Sequence, residues 1–310
     1  FQGLRWVLNQ SLTDSVKIDG VCKNSKKSLP FPFFFPNYPS HSLNLSYHKI
    51  LIPMQPSISN STPINGIHIY YEIYGSGFPL IMLHGGGSTI QSSFERIIPI
   101  LANNHQIIAI ESQAHGRTTD RNSPSSFSQD AEDVAQLMER LKINKADILG
   151  FSNGATTALQ LAINHPEIVN KLILGSPLAK RSGVADGFWE FMKNASLKNM
   201  PPQLKEAFLK VNPSEEGLLK MHDKDAARML AFKDISDQEL SSILAPSLII
   251  LAEQDVILQE HGMELNKLIP NSQLAIVPGV HGEYFGEITT IGPDFKVENL
   301  QVPLIEKFLQ

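Results

Sequence analysis

Asp147-Ile-Leu-Gly150-Phe-Ser152-Asn-Gly154-Ala-Thr-Thr-Ala158-Leu159 is the stretch from which the rest of the chain can be read. It opens as a short apolar strand that stops at Ser152. The chain then turns directly into a helix with apolar residues at Ala155, Ala158, Leu159 and Ala162. A strand that meets a helix without a loop forces its corner residue into a strained backbone conformation and lifts that side chain out of the sheet. Gly150 and Gly154 flank the corner, where a Cβ is expected to collide with the neighbouring strand or helix.

Working outward, apolar strands alternate with amphipathic helices. Ile64 to Gly75 is β-rich and broken by Asn65-Gly66, a hairpin signal, with His68 as a structural residue of the strand. Pro79 to Leu83 is a strand leading into His84-Gly-Gly-Gly87. A helix is predicted over Ser93 to Ala102, a strand over Gln106 to Ile110, a helix over Ser128 to Leu141 and a strand over Val169 to Leu174. The rhythm predicts an α/β fold with a mostly parallel sheet covered on both faces.

Between Ser176 and Leu244 no core strand is readable. Helices are predicted over Asp186 to Ala195, Pro202 to Val211, Glu215 to Phe232 and Ser236 to Ile243, the last opening with a capping-box pattern at Ser236 and Glu239. Phe188, Trp189, Phe191, Met192, Phe208, Met221, Met229 and Phe232 make this region apolar, and about a third of them are expected to reach a ligand pocket. The sheet resumes at Pro246 to Ala252, followed by Glu253-Gln254-Asp255. A helix over Glu260 to Leu268, a strand over Gln273 to Val277, the loop Pro278-Gly-Val-His281-Gly-Glu and a last helix over Val302 to Leu309 complete the chain.

With 310 residues, 42% hydrophobic and 18% charged, the chain has the make-up of a globular protein large enough for one α/β domain with an insertion. A net charge of -5 offers no electrostatic reason to expect nucleic acid or an anionic membrane as partner. A single cysteine, Cys22, excludes an intramolecular disulfide, and no segment is apolar and long enough to span a bilayer. Residues 1–60 are rich in Ser, Pro and Asn and read as a disordered leader or a non-native extension, with Met54 as a natural start or the basic residues before it as a targeting peptide. The mature protein is expected in the cytoplasm. Oligomeric state is not readable.

Gly150-Phe-Ser152-Asn-Gly154 is a Gly-x-Ser-x-Gly nucleophile elbow, and with it the chain resembles the α/β-hydrolase family from about residue 64 to 310. The resemblance implies a core over 61–177 and 245–310 and a helical cap over 178–244. It also implies the chain order serine, acid, histidine. His281, on a glycine-flanked loop after the last core strand, is preferred over His222, in the cap, and His261, expected on the surface. Asp255, just past a strand end, is preferred over Glu253, expected to be set too deep. A helix N-cap is the structural alternative for Asp255. Oxyanion donors are expected from the amides of Asn153 and Gly86, with Gly87 as the alternative for the latter, and His84 is expected to brace that loop. Ala114-His-Gly-Arg-Thr118 resembles a family loop but departs from its pattern at Glu111, Gln113 and Ala114.

These residues imply cleavage of a small or medium carboxylic ester, with Ser152 as nucleophile, His281 as base and acid, Asp255 as its orienting partner, and Phe188 and Trp189 against the substrate. No cofactor or metal is implied, and the expected partner is a small-molecule substrate. Thioester or amide hydrolysis, carbon-carbon cleavage beside a ketone and acyl transfer remain alternatives on the same fold, as does a ligand-binding receptor with little turnover.

Overall fold

A computed structural model describes residues 53–292, 295 and 297–310. The leader and targeting expectations for residues 1–52, and Cys22, lie outside the described residues. The strands are β1 (Ile58–Ile64), β2 (Ile67–Tyr74), β3 (Phe78–Leu83), β4 (His105–Ile110), β5 (Ala146–Phe151), β6 (Val169–Gly175), β7 (Ser247–Gln254) and β8 (Ser272–Val280). They form one eight-stranded sheet in the order β1-β2-β4-β3-β5-β6-β7-β8. The pairs β1-β2 and β2-β4 are antiparallel and every other pairing is parallel.

The hairpin turns where expected: Ile64 pairs with Ile67, and Asn65 (φ 46°) and Gly66 (φ 83°) both take the left-handed conformation that a tight turn requires. It also recruits Ile58 to Asn60 into the sheet. Ordered structure therefore begins inside the stretch assigned to the leader, because pairing with β2 supplies hydrogen bonds that the polar sequence of β1 does not advertise.

The helices are α1 (Ile90–Phe94), α2 (Ile98–Leu101), α3 (Phe127–Arg140), α4 (Asn153–Asn164), α5 (Phe188–Lys193), α6 (Pro202–Val211), α7 (Glu215–Leu230), α8 (Asp237–Ser241), α9 (Gln259–Leu268) and α10 (Val302–Leu309). The single helix expected over Ser93 to Ala102 is two short ones. Pro99 has no N–H to donate, and its ring would clash with the carbonyl four residues back, so the helix restarts with Pro99 in its first turn. Among the described residues no helix is long and apolar enough to cross a membrane.

Successive residues of each strand serve opposite layers. Ile81, Leu83 and Ile148 join one core with Val134 of α3, Leu159 of α4 and Leu265 of α9. Leu80, Met82 and Leu149 join the other with Phe94, Leu101 and Ile305. The helices α5 to α8 lie between β6 and β7. Met200, Leu204, Phe208, Leu218 and Met221 form a small core of their own there, whereas Ile235, Leu240 and Ile243 belong to the main core.

After β3 the chain moves one way to β4 and then crosses to β5 on the other side of β3. The carboxyl ends of β3 and β5 therefore flank a switch point, where an open α/β sheet leaves a crevice for a ligand. His84 and Ser152 follow those two ends. His84 is buried and braces its loop: Nδ1–H donates to Gly85 O at 2.7 Å, and Nε2 accepts from Ser112 N at 3.1 Å, beyond the end of β4. The bond accepted from Ser112 N needs the neutral ring with its proton on Nδ1. Burial pushes its pKa down to about 3, and the neighbouring His115 adds to the effect.

Because the folded pKa lies below the unfolded one, this residue's contribution is complete above about pH 6.5 and is lost as pH falls toward 3, by up to about 1.4 kcal/mol per pH unit. The difference in Tm between the wild type and His84→Gln should therefore narrow between pH 7.5 and 5; a constant difference would show that the ring is not held neutral. Gly154→Ala is the sharper test of the fold. Its Cβ would lie 2.0 Å from Leu83 O and 2.6 Å from His84 O, so a loss of about 3 kcal/mol or more is expected in thermal or urea melts, and an unchanged melt would refute the packing.

Candidate active site

Ser152 stands between β5 and α4 with φ 53° and ψ -116°, a left-handed corner that is strained for a residue with a Cβ. Its N–H donates to Gly175 O at 2.8 Å, which ties the corner to the end of β6. The flanking glycines are needed for contact as well as conformation: a Cβ on Gly150 would lie 2.3 Å from Gly154 O, and one on Gly154 would run into the backbone leaving β3.

His281 follows β8 and is buried, with its ring centroid 4.9 Å from that of Phe151. Its Nε2 lies 3.2 Å from Ser152 Oγ and its Nδ1 lies 2.6 Å from Asp255 Oδ1. Three side chains spread over 129 residues of chain thus meet at one edge of the sheet. Gly282, with φ 83°, turns the backbone immediately after the histidine, and a Cβ there would lie 2.7 Å from the Phe151 ring.

The Asp255 side chain is fully buried, and its remaining lone pairs are all used. Oδ1 also accepts from Ile257 N, while Oδ2 accepts from Ser176 Oγ at 2.6 Å and Ala252 N at 3.0 Å. Burial alone would raise its pKa, but His281 and these donors outweigh it and hold the carboxyl below the usual range. An ionised Asp255 selects the tautomer of His281 that carries its proton on Nδ1 and leaves Nε2 as the acceptor facing the serine hydroxyl. Ser176 and Tyr284, whose hydroxyls also bond each other, support this carboxylate and were not anticipated. A lone Ser at a strand end carries no signal of such a role.

Gly86 and Asn153 lie side by side near Ser152; a Cβ on Gly86 would be 2.4 Å from Asn153 Nδ2. Asn153 opens α4, so its N–H has no acceptor within the helix, and among the described residues the Gly86 N–H has none either. The Gly87 N–H, the alternative donor, is occupied: it donates to Asp225 Oδ2 at 2.6 Å. Asp225 in α7 also accepts from His115 Nε2 at 3.1 Å and pairs with Arg228, which in turn pairs with Asp130. A signal for this network existed. Asp225 and Arg228 interrupt the apolar stripe of Leu218, Met221 and Phe232 at helical spacing, where a charge must be partnered.

Ser152 and His281 open onto a cavity of about 180 Å³, lined on one side by these two with Gly86 and Asn153 and on the other by residues of α5 to α7. Of the eight apolar residues singled out between β6 and β7, Phe188, Phe191, Met192 and Met229 reach it, half of them where a third was expected. Trp189 does not. One residue further round α5 than Phe188, it points away, stacks under the Arg181 guanidinium at 3.6 Å and donates its indole N–H to Arg181 O.

The competing residues fall elsewhere. Glu253 is exposed rather than deep, because β7 runs on to Gln254 and carries it past the core. His261 is buried rather than on the surface: its Nε2 accepts from Ala179 N at 3.1 Å, a structural role in the layer under α9. His222 lines the cavity from α7 but bonds its neighbour Asp223. Glu111, a departure from the family loop, is buried and receives the backbone and side chain of Arg117.

A family model described as the alpha/beta hydrolase fold matches residues 79–197, from β3 into the stretch after α5. Among curated proteins, the chain is 32% identical over 123 residues to 2-hydroxymuconate semialdehyde hydrolase of Pseudomonas sp. (strain CF600), covering 38% of this chain and 43% of that one. The chain thus spans less than half the length of that relative. It is 24% identical over 258 residues to the human serine hydrolase BPHL, covering 76% of this chain and 86% of that one. The solved 2-hydroxy-6-oxo-6-phenylhexa-2,4-dienoate hydrolase of Rhodococcus sp. strain RHA1 superimposes with a TM-score of 0.66 at 18% identity, over 81% of this chain and 98% of that one. The strand order with its switch point, the corner at Ser152 and these matches agree, and the chain has the α/β-hydrolase fold.

Proposed function

We propose that this protein is a serine hydrolase that cleaves a small or medium carboxylic ester through an acyl-enzyme. The observation that carries the reading is the His281 ring, within hydrogen-bond reach of Ser152 Oγ on one side and Asp255 Oδ1 on the other. Ser152 Oγ attacks the ester carbonyl while His281 Nε2 takes its proton. The amides of Gly86 and Asn153 receive the oxyanion of the tetrahedral intermediate. Collapse breaks the bond to the alcohol, which leaves with the proton from His281. Water then attacks the acyl-enzyme by the same route, its proton passing to His281 and back to Ser152, and the carboxylic acid departs. In this reading the helices between β6 and β7 act as a cap that keeps bulk water from the intermediate.

The cavity supports a neutral, compact substrate. At about 180 Å³ it is below the roughly 300–1,000 Å³ typical of pockets for drug-sized ligands. Among the described residues that line it there is no lysine or arginine, so a substrate carboxylate would enter without a cation to receive it. Carbon-carbon cleavage beside a ketone is the second reading, favoured by the printed names of the semialdehyde and dienoate hydrolases to which the chain is similar.

A short-chain p-nitrophenyl ester should give a burst of p-nitrophenol, and Ser152 should be labelled covalently by a fluorophosphonate. Ser152→Ala should lose the burst and the label, with turnover down about 10⁴-fold or more. If properly folded wild-type protein shows neither, a ligand-binding role replaces catalysis; labelling without ester turnover, together with turnover of a vinylogous 1,5-diketone, would favour the second reading. Asp255→Asn should preserve the fold and lower kcat by about 10³–10⁴-fold, because a neutral amide no longer selects the Nδ1–H tautomer; full activity in that variant would remove Asp255 from the machinery.

A further inference from the structure

The proposed oxyanion donor Gly86 belongs to two successive peptide planes, and each is held by a different part of the molecule. The first is the Gly85–Gly86 peptide, whose N–H is the donor in question. Its carbonyl oxygen, Gly85 O, receives His84 Nδ1–H at 2.7 Å. In a trans peptide the C=O and N–H point in opposite directions, so holding the oxygen aims the N–H. The second is the Gly86–Gly87 peptide, whose N–H donates to Asp225 Oδ2 at 2.6 Å. His84 rises from the end of β3, whereas Asp225 comes from α7, 138 residues beyond Gly87.

Asp225 is equipped to hold this position. Its side chain is 12% exposed, and it is joined to His115 and Arg228, with Arg228 anchored in turn on Asp130 of α3. The approach is close enough that a Cβ on Gly86 would lie 2.9 Å from Asp225 Oδ2. A glycine between two held planes has more freedom to turn than any other residue, so the second tether supplies rigidity that the chain at Gly85 to Gly87 does not.

We infer that Asp225 is a positioning residue that aims the Gly86 amide at the developing oxyanion, so that the site is complete only when α7 is seated on the loop after β3. This rests on the serine-hydrolase reading. Among the described residues Asp225 makes no hydrogen bond to Ser152; it acts through Gly87. The consequence is a selective one: losing the tether should weaken binding of the tetrahedral state and leave binding of the planar substrate largely unchanged.

The test is the second-order rate at which a fluorophosphonate labels Ser152, alongside ester kinetics and thermal melts of the same proteins. In labelling, the Ser152 O–P bond forms, the P–F bond breaks, fluoride leaves and His281 takes the proton, with the phosphoryl oxygen in the oxyanion position. Asp225→Ala is expected to label about tenfold more slowly or worse and to lose kcat in parallel, with KM within about twofold; removing a whole oxyanion donor costs about 10²–10³. Asp225→Asn keeps an oxygen for the Gly87 N–H but turns its NH₂ toward Arg228. It should therefore recover most of the labelling rate while melting at lower temperature than the wild type. A purely structural Asp225 would make rate follow Tm in both variants, and that result overturns the inference. So does an unchanged rate in cooperatively melting Asp225→Ala, or a rise in KM with kcat intact, which would make Asp225 a substrate contact. If the wild type itself is not labelled, the serine-hydrolase reading fails, and the inference with it.

Discussion

The first turn of α4 lies against the backbone leaving β3 so closely that no side chain fits between them. A Cβ on Gly154 would sit 2.0 Å from Leu83 O, well inside contact distance. This approach sets how far Ser152 stands from the Gly85–Gly87 loop, and so whether a hydroxyl and two amide N–H groups can face one small volume. It also explains the backbone at Ser152, whose positive φ lets β5 become α4 without an intervening loop. The strain is local and is outweighed by the layers on both faces of the sheet, where Leu80, Ile81, Met82, Ile148 and Leu149 are fully buried.

Around that contact the molecule places two buried polar networks, each built on a hydrogen-bonded carboxylate. One runs from Ser152 through His281 to Asp255 and on to Ser176 and Tyr284. The other runs from Gly87 through Asp225 to His115 and, by way of Arg228, to Asp130. In a low-dielectric interior such groups are stable only when their partners are in place. Asp225 is held below the ordinary carboxylate range: burial would raise its pKa, but Arg228, His115 and the Gly87 N–H together prevail. Asp130 has fewer donors, and burial pushes it up to about 6 in spite of Arg228. The two networks are independent in chain and meet only at the cavity, one behind the hydroxyl and the other behind the amide.

The cavity between them combines an apolar wall from α5 and α6 with a polar edge from His222 and Asp225. That composition says more about substrate than the fold does. Chains with this fold and TM-scores near 0.66 bear names of different chemistries, a phospholipase among them, so the sheet alone discriminates nothing.

Much of this was legible in the linear chain, and for identifiable reasons. The corner at Ser152, the hairpin at Asn65-Gly66 and the helices beginning at Pro202 and Ser236 are local, written in residues that stand within four positions of one another. That Ser152, Asp255 and His281 would converge was expected because the resemblance to the family implies their order and each follows an apolar strand, and parallel strands bring their carboxyl ends to one edge. Tertiary structure alone decided what depends on distance along the chain. It drew Ile58 to Asn60 into the sheet, turned Trp189 away from the cavity while leaving Phe188 in it, buried His261, and set Asp225 and Ser176 against the Gly86–Gly87 peptide and the Asp255 carboxylate. The apolar stripe of α7 shows that Asp225 must be partnered, but a partner more than a hundred residues away leaves no spacing that names it, so its identity appears only once the layers are stacked.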